Sequence, residues 1–223
     1  TNIGDPFVLR VGGTYYLYAT SFKDGFDCRT SDDLVHWSEP RMAYTRGERS
    51  FGYTDFWAPE VVFHEGKYIM HYSARRKGDD TLLIGVAVSD RPEGPFVDVT
   101  DGPMFDFGYA AIDGHVLRDG KDSYLFYSRD CSQYVVDGRR ESHIYAVRLD
   151  DSLTRTVGEP VHISGPDCPW ETVTGDTRWN EGPFIVKRDG IYYLMYSSGY
   201  FASPTYSTGY AVSERPLGPY KKS

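Results

Sequence analysis

The chain has 223 residues and a net charge of -8, a length that bounds it to one or two ordinary domains. No basic cluster is longer than Arg75-Arg76-Lys77 and no apolar run approaches 18 residues, so neither nucleic acid nor a membrane is an expected partner. Aromatic residues make up 16 %, with 19 tyrosines and 4 tryptophans, a content suited to packed sheet faces and to platforms for sugar rings.

One phrase recurs four times, beginning near Gly4, Trp57, Ile112 and Asn180: a short extended run, a Gly-centred turn, a tyrosine-rich strand, then two more strands closed by a polar or Pro-containing turn. The tyrosine-rich strands are Tyr15-Tyr16-Leu17-Tyr18, Tyr68-Ile69-Met70-His71-Tyr72, Ser123-Tyr124-Leu125-Phe126-Tyr127 and Tyr192-Tyr193-Leu194-Met195-Tyr196. They follow Gly12-Gly13, Glu65-Gly66, Asp119-Gly120 and Asp189-Gly190. A period of about 50 to 70 residues with this content predicts an all-β radial array, a β-propeller in which each unit is one four-stranded blade.

In chain order, period-2 alternation places blade one at about 5–40, with its third strand at 26–30 and its fourth at His36-Trp37. Blade two covers about 58–99 with its third strand at 82–88. Blade three covers 113–163 with its third strand at 143–148, and blade four covers 181–220 with its third strand at 207–212. The chain is thus expected to be a single β-propeller domain over 1–223. The segments Ser31-Asp32-Asp33-Leu34, Ser89-Asp90-Arg91-Pro92, Asp150-Asp151-Ser152-Leu153 and Ser213-Glu214-Arg215-Pro216 read as structural turns.

In such an array the first strand of each blade lines the central channel. The loops entering first strands (41–57, 100–112, 164–180) and those joining second to third strands (21–27, 74–81, 129–142, 198–206) then share one face. They are the longest connections, which marks that face as functional.

Asp5 stands 10 residues before Tyr15, Asp113 stands 10 before Ser123, and Glu181 stands 11 before Tyr192, whereas blade two has Ala58 there. Three blades are therefore expected to open their innermost strand with an acid and to aim it at one channel mouth. Turn chemistry alone accounts for any one of these acids but not for their shared blade position. Converging carboxylates repel, so one should hold its proton while another stays ionised, the requirement for acid/base cleavage of a glycosidic bond. The alternative use of such a group is to hold a hard cation such as calcium. No cofactor is otherwise expected.

The segments Gly4-Asp5-Pro6-Phe7-Val8, Trp57-Ala58-Pro59-Glu60-Val61, Ile112-Asp113-Gly114-His115-Val116 and Glu181-Gly182-Pro183-Phe184-Ile185, in this order and with blade spacing, resemble glycoside hydrolase family 43. Ser31-Asp32-Asp33-Leu34-Val35-His36-Trp37 adds to the likeness. The resemblance implies a five-bladed propeller and an inverting hydrolase of arabinose- or xylose-containing plant glycans, of the α-L-arabinofuranosidase, arabinanase or β-xylosidase type. Carried over by motif, Asp5 is the general base, Glu181 the general acid, and Asp113 the residue that tunes and orients that acid.

Two departures accompany the likeness. Gly114 stands where the family usually has Pro, and only four blades are recognisable, without the fifth-blade histidine often involved in metal binding in the channel. The expectations are a fragment, a ring completed by another copy, or an open propeller, whose free sheet edge would favour a homo-oligomer. A non-catalytic carbohydrate-binding propeller is the alternative function. A phosphorolytic relative would need an anion site, for which Arg75, Arg76, Arg129 and Arg178 are the candidates.

Among the loop aromatics, Trp57, Phe51, Phe22, Tyr109 and Tyr200 are the expected substrate contacts, with Phe26, Tyr53, Trp170, Trp179 and Phe201 on the same loops. Arg178 is also expected among the substrate-binding residues, either paired with a channel acid or solvated at the surface. His115 is read as a packed histidine, Trp37 as a blade-packing residue, and Glu60 as a further acid or a strand-end charge. Cys28, Cys131 and Cys168 fit neither a zinc site nor a disulfide framework and are expected to be unpaired thiols. Because the chain starts at Thr1, a removed leader stays open and the compartment, cytoplasmic or secreted, undetermined.

Overall fold

Two of the Gly-centred turns are two-residue loops with both φ angles positive, Glu65 and Gly66 at 48° and 81° and Asp189 and Gly190 at 51° and 81°. Such loops match the right-handed twist of the strands they join, so each folds the chain back on itself as a tight antiparallel hairpin. Built outward from these hairpins, the computed structural model, which describes residues 3–20 and 24–223, consists of four sheets whose strands pair antiparallel apart from one short parallel pairing.

The first sheet holds β1 (Phe7–Val11), β2 (Thr14–Tyr18), β3 (Gly25–Ser31) and β4 (Arg41–Thr45), paired in that order. The second holds β5 (Gly52–His64), β6 (Lys67–Arg76), β7 (Leu82–Ser89) and β8 (Val97–Asp98). The third is built on β9 (Ala111–Asp119) and β10 (Asp122–Arg129). It adds β11 (Val135–Val136), β12 (Arg139–Leu149), β13 (Thr156–Ser164) and β14 (Thr177–Trp179), the last pairing parallel to β12. The fourth holds β15 (Glu181–Arg188), β16 (Ile191–Ser198), β17 (Ser207–Ser213) and β18 (Lys221–Lys222). The chain divides into two compact units, Thr1–Asp106 with the first two sheets and Phe107–Ser223 with the others. Among the described residues no helix is long and apolar enough to cross a membrane.

The predicted second and third strands coincide with observed ones, but blade one ends differently. His36-Trp37 is not a strand, because the Asp33 carboxylate accepts from the Val35 and His36 amides and from the His36 ring and folds the segment into a turn. The fourth strand is β4, inside what was expected to be an entry loop. The fourth strand of the last sheet likewise lies beyond Tyr220, at β18.

The recurring tyrosine of the second strands is the centre of each core. Tyr18, Tyr72, Tyr127 and Tyr196 are all less than 2 % exposed, and a buried phenol needs a partner for its hydroxyl. Each finds a different one: Tyr18 donates to the Pro92 carbonyl, Tyr72 to Asp98 Oδ1 at 2.7 Å, and Tyr196 to Glu171 Oε1 at 3.0 Å, while Tyr127 bonds the Tyr109 hydroxyl at 2.6 Å. In the first unit Phe26, Tyr44, Phe51, Phe56 and Tyr72 pack ring against ring. In the second, Phe126, Ile144, Leu194 and Tyr196 form the equivalent core.

Tyr72 and Tyr196 lie opposite glycines on the next strand, Gly85 and Gly209. A Cβ on Gly85 would stand 2.4 Å from Tyr72 Cζ and 2.7 Å from Phe51 Cε1. Gly85→Ala therefore overpacks the first unit and lowers its stability by about 2 kcal/mol, read from urea unfolding at an unchanged m-value.

In the second unit, β18 is tied down by Lys222, whose ammonium reaches Glu171 at 2.6 Å and Asp167 at 2.7 Å. Burial works against the Glu171 charge, but Lys222, the Cys168 amide and Asn180 outweigh it and hold the carboxyl below its ordinary range. A depressed carboxyl pKa contributes stability above the unfolded-state value and loses it as pH falls through the folded value. The second unit should accordingly weaken on acidification below about pH 4, the ordinary carboxylate range. Lys222→Met, which strands the Glu171 charge, should cost about 3 kcal/mol at neutral pH in the same unfolding measurement and flatten its acid dependence.

Candidate active site

The entry to each innermost strand has one backbone design. Trp57, Ile112 and Glu181 pair with Ser73, Ser128 and Ser197, and the Gly4 carbonyl accepts from the Thr20 amide at 3.0 Å. Regular pairing resumes at Phe7 with Tyr18, Glu60 with His71, His115 with Phe126, and Phe184 with Met195. Two residues on the inner strand thus oppose one on the second strand, a β-bulge, and its first residue is left-handed each time. Asp5, Ala58, Asp113 and Gly182 have φ of 47°, 44°, 60° and 59°. Bulges re-aim side chains, and Asp and Gly are among the residues that tolerate this conformation.

This register corrects one expectation. Asp5 and Asp113 do occupy the same blade position, but Glu181 stands one residue earlier, in the place of Gly4, Trp57 and Ile112, and Gly182 fills the bulge. The extra residue counted between Glu181 and Tyr192 is this offset.

A hydroxyl supports each bulge carboxylate. In the first unit Thr20 Oγ1 donates to Asp5 Oδ2 and accepts from the Ala58 amide at 3.0 Å. In the second unit Ser128, fully buried, donates to Asp113 Oδ2 at 3.1 Å and accepts from the Gly182 amide at 3.2 Å. The Gly182 amide also reaches Asp113 Oδ2 at 3.1 Å. Asp113 is thereby locked to the residue that follows Glu181, and Tyr206 Oη donates to Glu181 Oε1 at 3.2 Å. Asp113 and Glu181 are half-buried and share the second unit, whereas Asp5 is exposed in the first.

The expected substrate contacts divide. Phe51 is 8 % exposed and stacks on Tyr72 at 6.1 Å, and Phe26 is fully buried, so both rings serve the core and neither meets a ligand. The physical reason is that their segments are strand and strand edge rather than open loop. Phe22 lies outside the described residues. Trp57 is half-buried beneath the Arg75 guanidinium, 5.8 Å from its ring, and Arg75 is fixed by Asp55 at 2.5 Å. Tyr53 donates to Asp80.

In the second unit Tyr109 is half-buried, with Arg129 4.3 Å above its ring and its hydroxyl on Tyr127. Tyr200 is 40 % exposed beside Trp179 and the more exposed Phe201. Trp170 packs on Tyr196, and His115, buried, packs on Phe184 at 4.3 Å, as a structural histidine should. The three cysteines are unpaired.

Arg178 is half-buried next to β15. Its Nη1 lies 3.9 Å from Glu141, on the wall of a cavity of about 500 Å³ that also presents His143 and His162. Glu141 bonds His143 Nε2 at 2.8 Å and His143 Nδ1 faces His162 Nε2 at 3.0 Å, and burial first, then His143 and Lys222, holds His162 below its ordinary value. Among the described residues one group of three ligating side chains lies close enough to share a cation, Asp167, Cys168 and Glu171. The Lys222 ammonium already engages both of its carboxylates, so it does not fit a calcium ion.

Thr20, Ser128 and Tyr206 were missed in the sequence. The signal was present for the first two: all four second strands run from their buried tyrosine into a hydroxyl residue, Thr20, Ser73, Ser128 or Ser197.

A profile of Glycosyl hydrolases family 43 matches residues 1–223. A solved structure of a thermostable family-43 glycoside hydrolase superposes with a TM-score of 0.93 at 43 % identity, covering 99 % of this chain and 72 % of that one. An endo-1,4-β-xylanase structure from Bacteroides thetaiotaomicron gives 0.83 at 32 %, with the same coverage. An extracellular endo-α-(1→5)-L-arabinanase of Thermotoga petrophila is 29 % identical over 248 residues, covering 98 % of this chain and 50 % of the arabinanase. The chain spans between half and two thirds of the length of such curated relatives. With the profile matched from end to end and four propeller blades in its all-β fold, the chain belongs to glycosyl hydrolases family 43.

Proposed function

We propose that the protein hydrolyses glycosidic bonds in arabinose- or xylose-containing plant glycans with inversion at the anomeric carbon. Glu181 protonates the departing glycosidic oxygen, and Asp5 takes a proton from the water that attacks the opposite face. The C–O bond to the leaving group breaks as the bond to water forms, leaving Glu181 ionised and Asp5 protonated until solvent resets both. Inversion requires the two carboxyl groups to flank the bond at roughly 6.5 to 9.5 Å. Asp113 orients Glu181 and, as a neighbouring negative charge, favours its protonated form.

The observation that carries this reading is the double hold on Asp113 by Ser128 and by the Gly182 amide, which fixes a carboxylate beside the acid. An arabinanase and a xylanase among the related proteins support the substrate class.

Turnover of nitrophenyl α-L-arabinofuranoside and β-D-xyloside, and of arabinan and xylan, should fall by about a thousandfold in Asp5→Asn and in Glu181→Gln. Proton NMR should show the inverted anomer first. Retained configuration would reject the roles given to Asp5 and Glu181. Glycan binding without turnover in the unaltered protein would instead favour a non-catalytic propeller.

A further inference from the structure

Tyr206 belongs to the last turn before β17 and is held there by its neighbours. Its amide donates to the Ser203 carbonyl at 3.1 Å, and the Ser203 hydroxyl in turn accepts from the Thr205 amide at 3.2 Å. Gly199, at φ 97°, lets this turn close: a Cβ there would meet the Thr205 carbonyl oxygen at 3.0 Å. The loop thus presents the phenol in a set position, ring part-exposed and hydroxyl on Glu181 Oε1. Ser197, the hydroxyl residue of the last sheet's bulge, pairs with Glu181 across the strands.

We infer that Tyr206 is a positioning residue for the general acid, deciding which oxygen of Glu181 carries the proton. The inference rests on Glu181 being that acid.

In a neutral carboxyl group the carbonyl oxygen is the better acceptor and the hydroxyl oxygen is the donor. A phenol that donates to Oε1 therefore makes Oε1 the carbonyl oxygen and leaves the proton on Oε2. Burial first, and then the charge of Glu181, hold the Tyr206 proton well above the ordinary phenol range, so the phenol stays a donor throughout the working pH. After proton transfer the same bond is made to a full carboxylate and strengthens, because hydrogen bonds to ionised acceptors are about twice as strong as neutral ones. Tyr206 thus favours the state in which the acid has delivered its proton.

Among the described residues of this unit, Tyr206 and Cys131 both feel the Glu181 charge, and Asp113 acts on the same phenol. Asp113 comes from β9, Cys131 from beyond β10, and Tyr206 from the turn before β17. The Cys131 thiol is pushed up to about 11 by burial, then by Asp130, and stays protonated. Loss of the phenol hydroxyl therefore removes the hydrogen bond that Glu181 Oε1 accepts from Tyr206.

The test is Tyr206→Phe, which keeps the ring and removes the hydroxyl. The Glu181 carboxyl carbon is followed by ¹³C NMR against pH in the free protein, assigned by its absence in Glu181→Gln. The titration midpoint should rise in Tyr206→Phe, by about half to one pH unit for one charge-assisted hydrogen bond of typical strength. In turnover, kcat should fall about tenfold with KM little changed, and the basic limb of the kcat/KM profile should move upward by the same interval. An unchanged Glu181 titration, with the unfolding midpoint also unchanged, overturns the inference. Because the titration needs no substrate, it reads the contact even where the protein turns over no glycan, an outcome that would count against the proposed hydrolysis and not against the contact. Tyr206→Leu, which removes the ring as well, should move the titration as Phe does; a shift in Leu alone would mean packing rather than the hydroxyl sets it, and would also overturn the inference.

Discussion

The bulge at the entry to each innermost strand is the constraint on which the rest depends. Pairing two residues against one turns the backbone out of its regular alternation, and a left-handed first residue is the conformational cost of that turn. What is gained is direction. Asp5 and Asp113 point at a hydroxyl from the adjoining strand, and that hydroxyl is also bonded by the backbone amide of the next sheet's bulge. A single motif therefore joins neighbouring sheets within each unit and orients a carboxylate, so that packing and the proposed chemistry share the same atoms.

Much of this was legible in the chain, because the signals are local. The buried tyrosines, the Gly-centred hairpins and the acids of Asp5-Pro6 and Asp113-Gly114 follow from short-range spacing, and the sheets formed where that spacing placed them. The errors lie where a side chain or a register had to be known. Asp33 gathers two amides and the His36 ring into a turn, which pushes the fourth strand on to Arg41. Glu181 falls one residue short of the shared position because its bulge is filled by Gly182, and only the strand pairing reveals it. Phe51 and Phe26 read as loop aromatics but are drawn into the core, since rings near a buried tyrosine gain more from removal from water than from display.

The four central tyrosines illustrate how one position tolerates divergent surroundings. Each buries the same ring, yet the hydroxyls end on a carbonyl, two different carboxylates and another phenol. The ring supplies the common packing energy, while the hydroxyl couples each sheet to whatever segment passes above it. In the last sheet that segment is the Glu171 loop, where Tyr196, Asn180 and Lys222 converge on one carboxylate. A buried charge with so many partners is expensive to disturb, and it fixes the approach to β15, on which Glu181 stands.

Ala58 sits in the same strained geometry as Asp5 and Asp113 but carries a methyl group. The frame is thus repetitive while its side chains are not: the four bulge positions carry two carboxylates, a methyl group and a bare glycine, and Glu181 stands one residue before the last of them. Exchange of one such side chain changes the group presented there while the strand pairing that makes the bulge stays in place, so a protein of this build can vary what it displays at these positions and still fold.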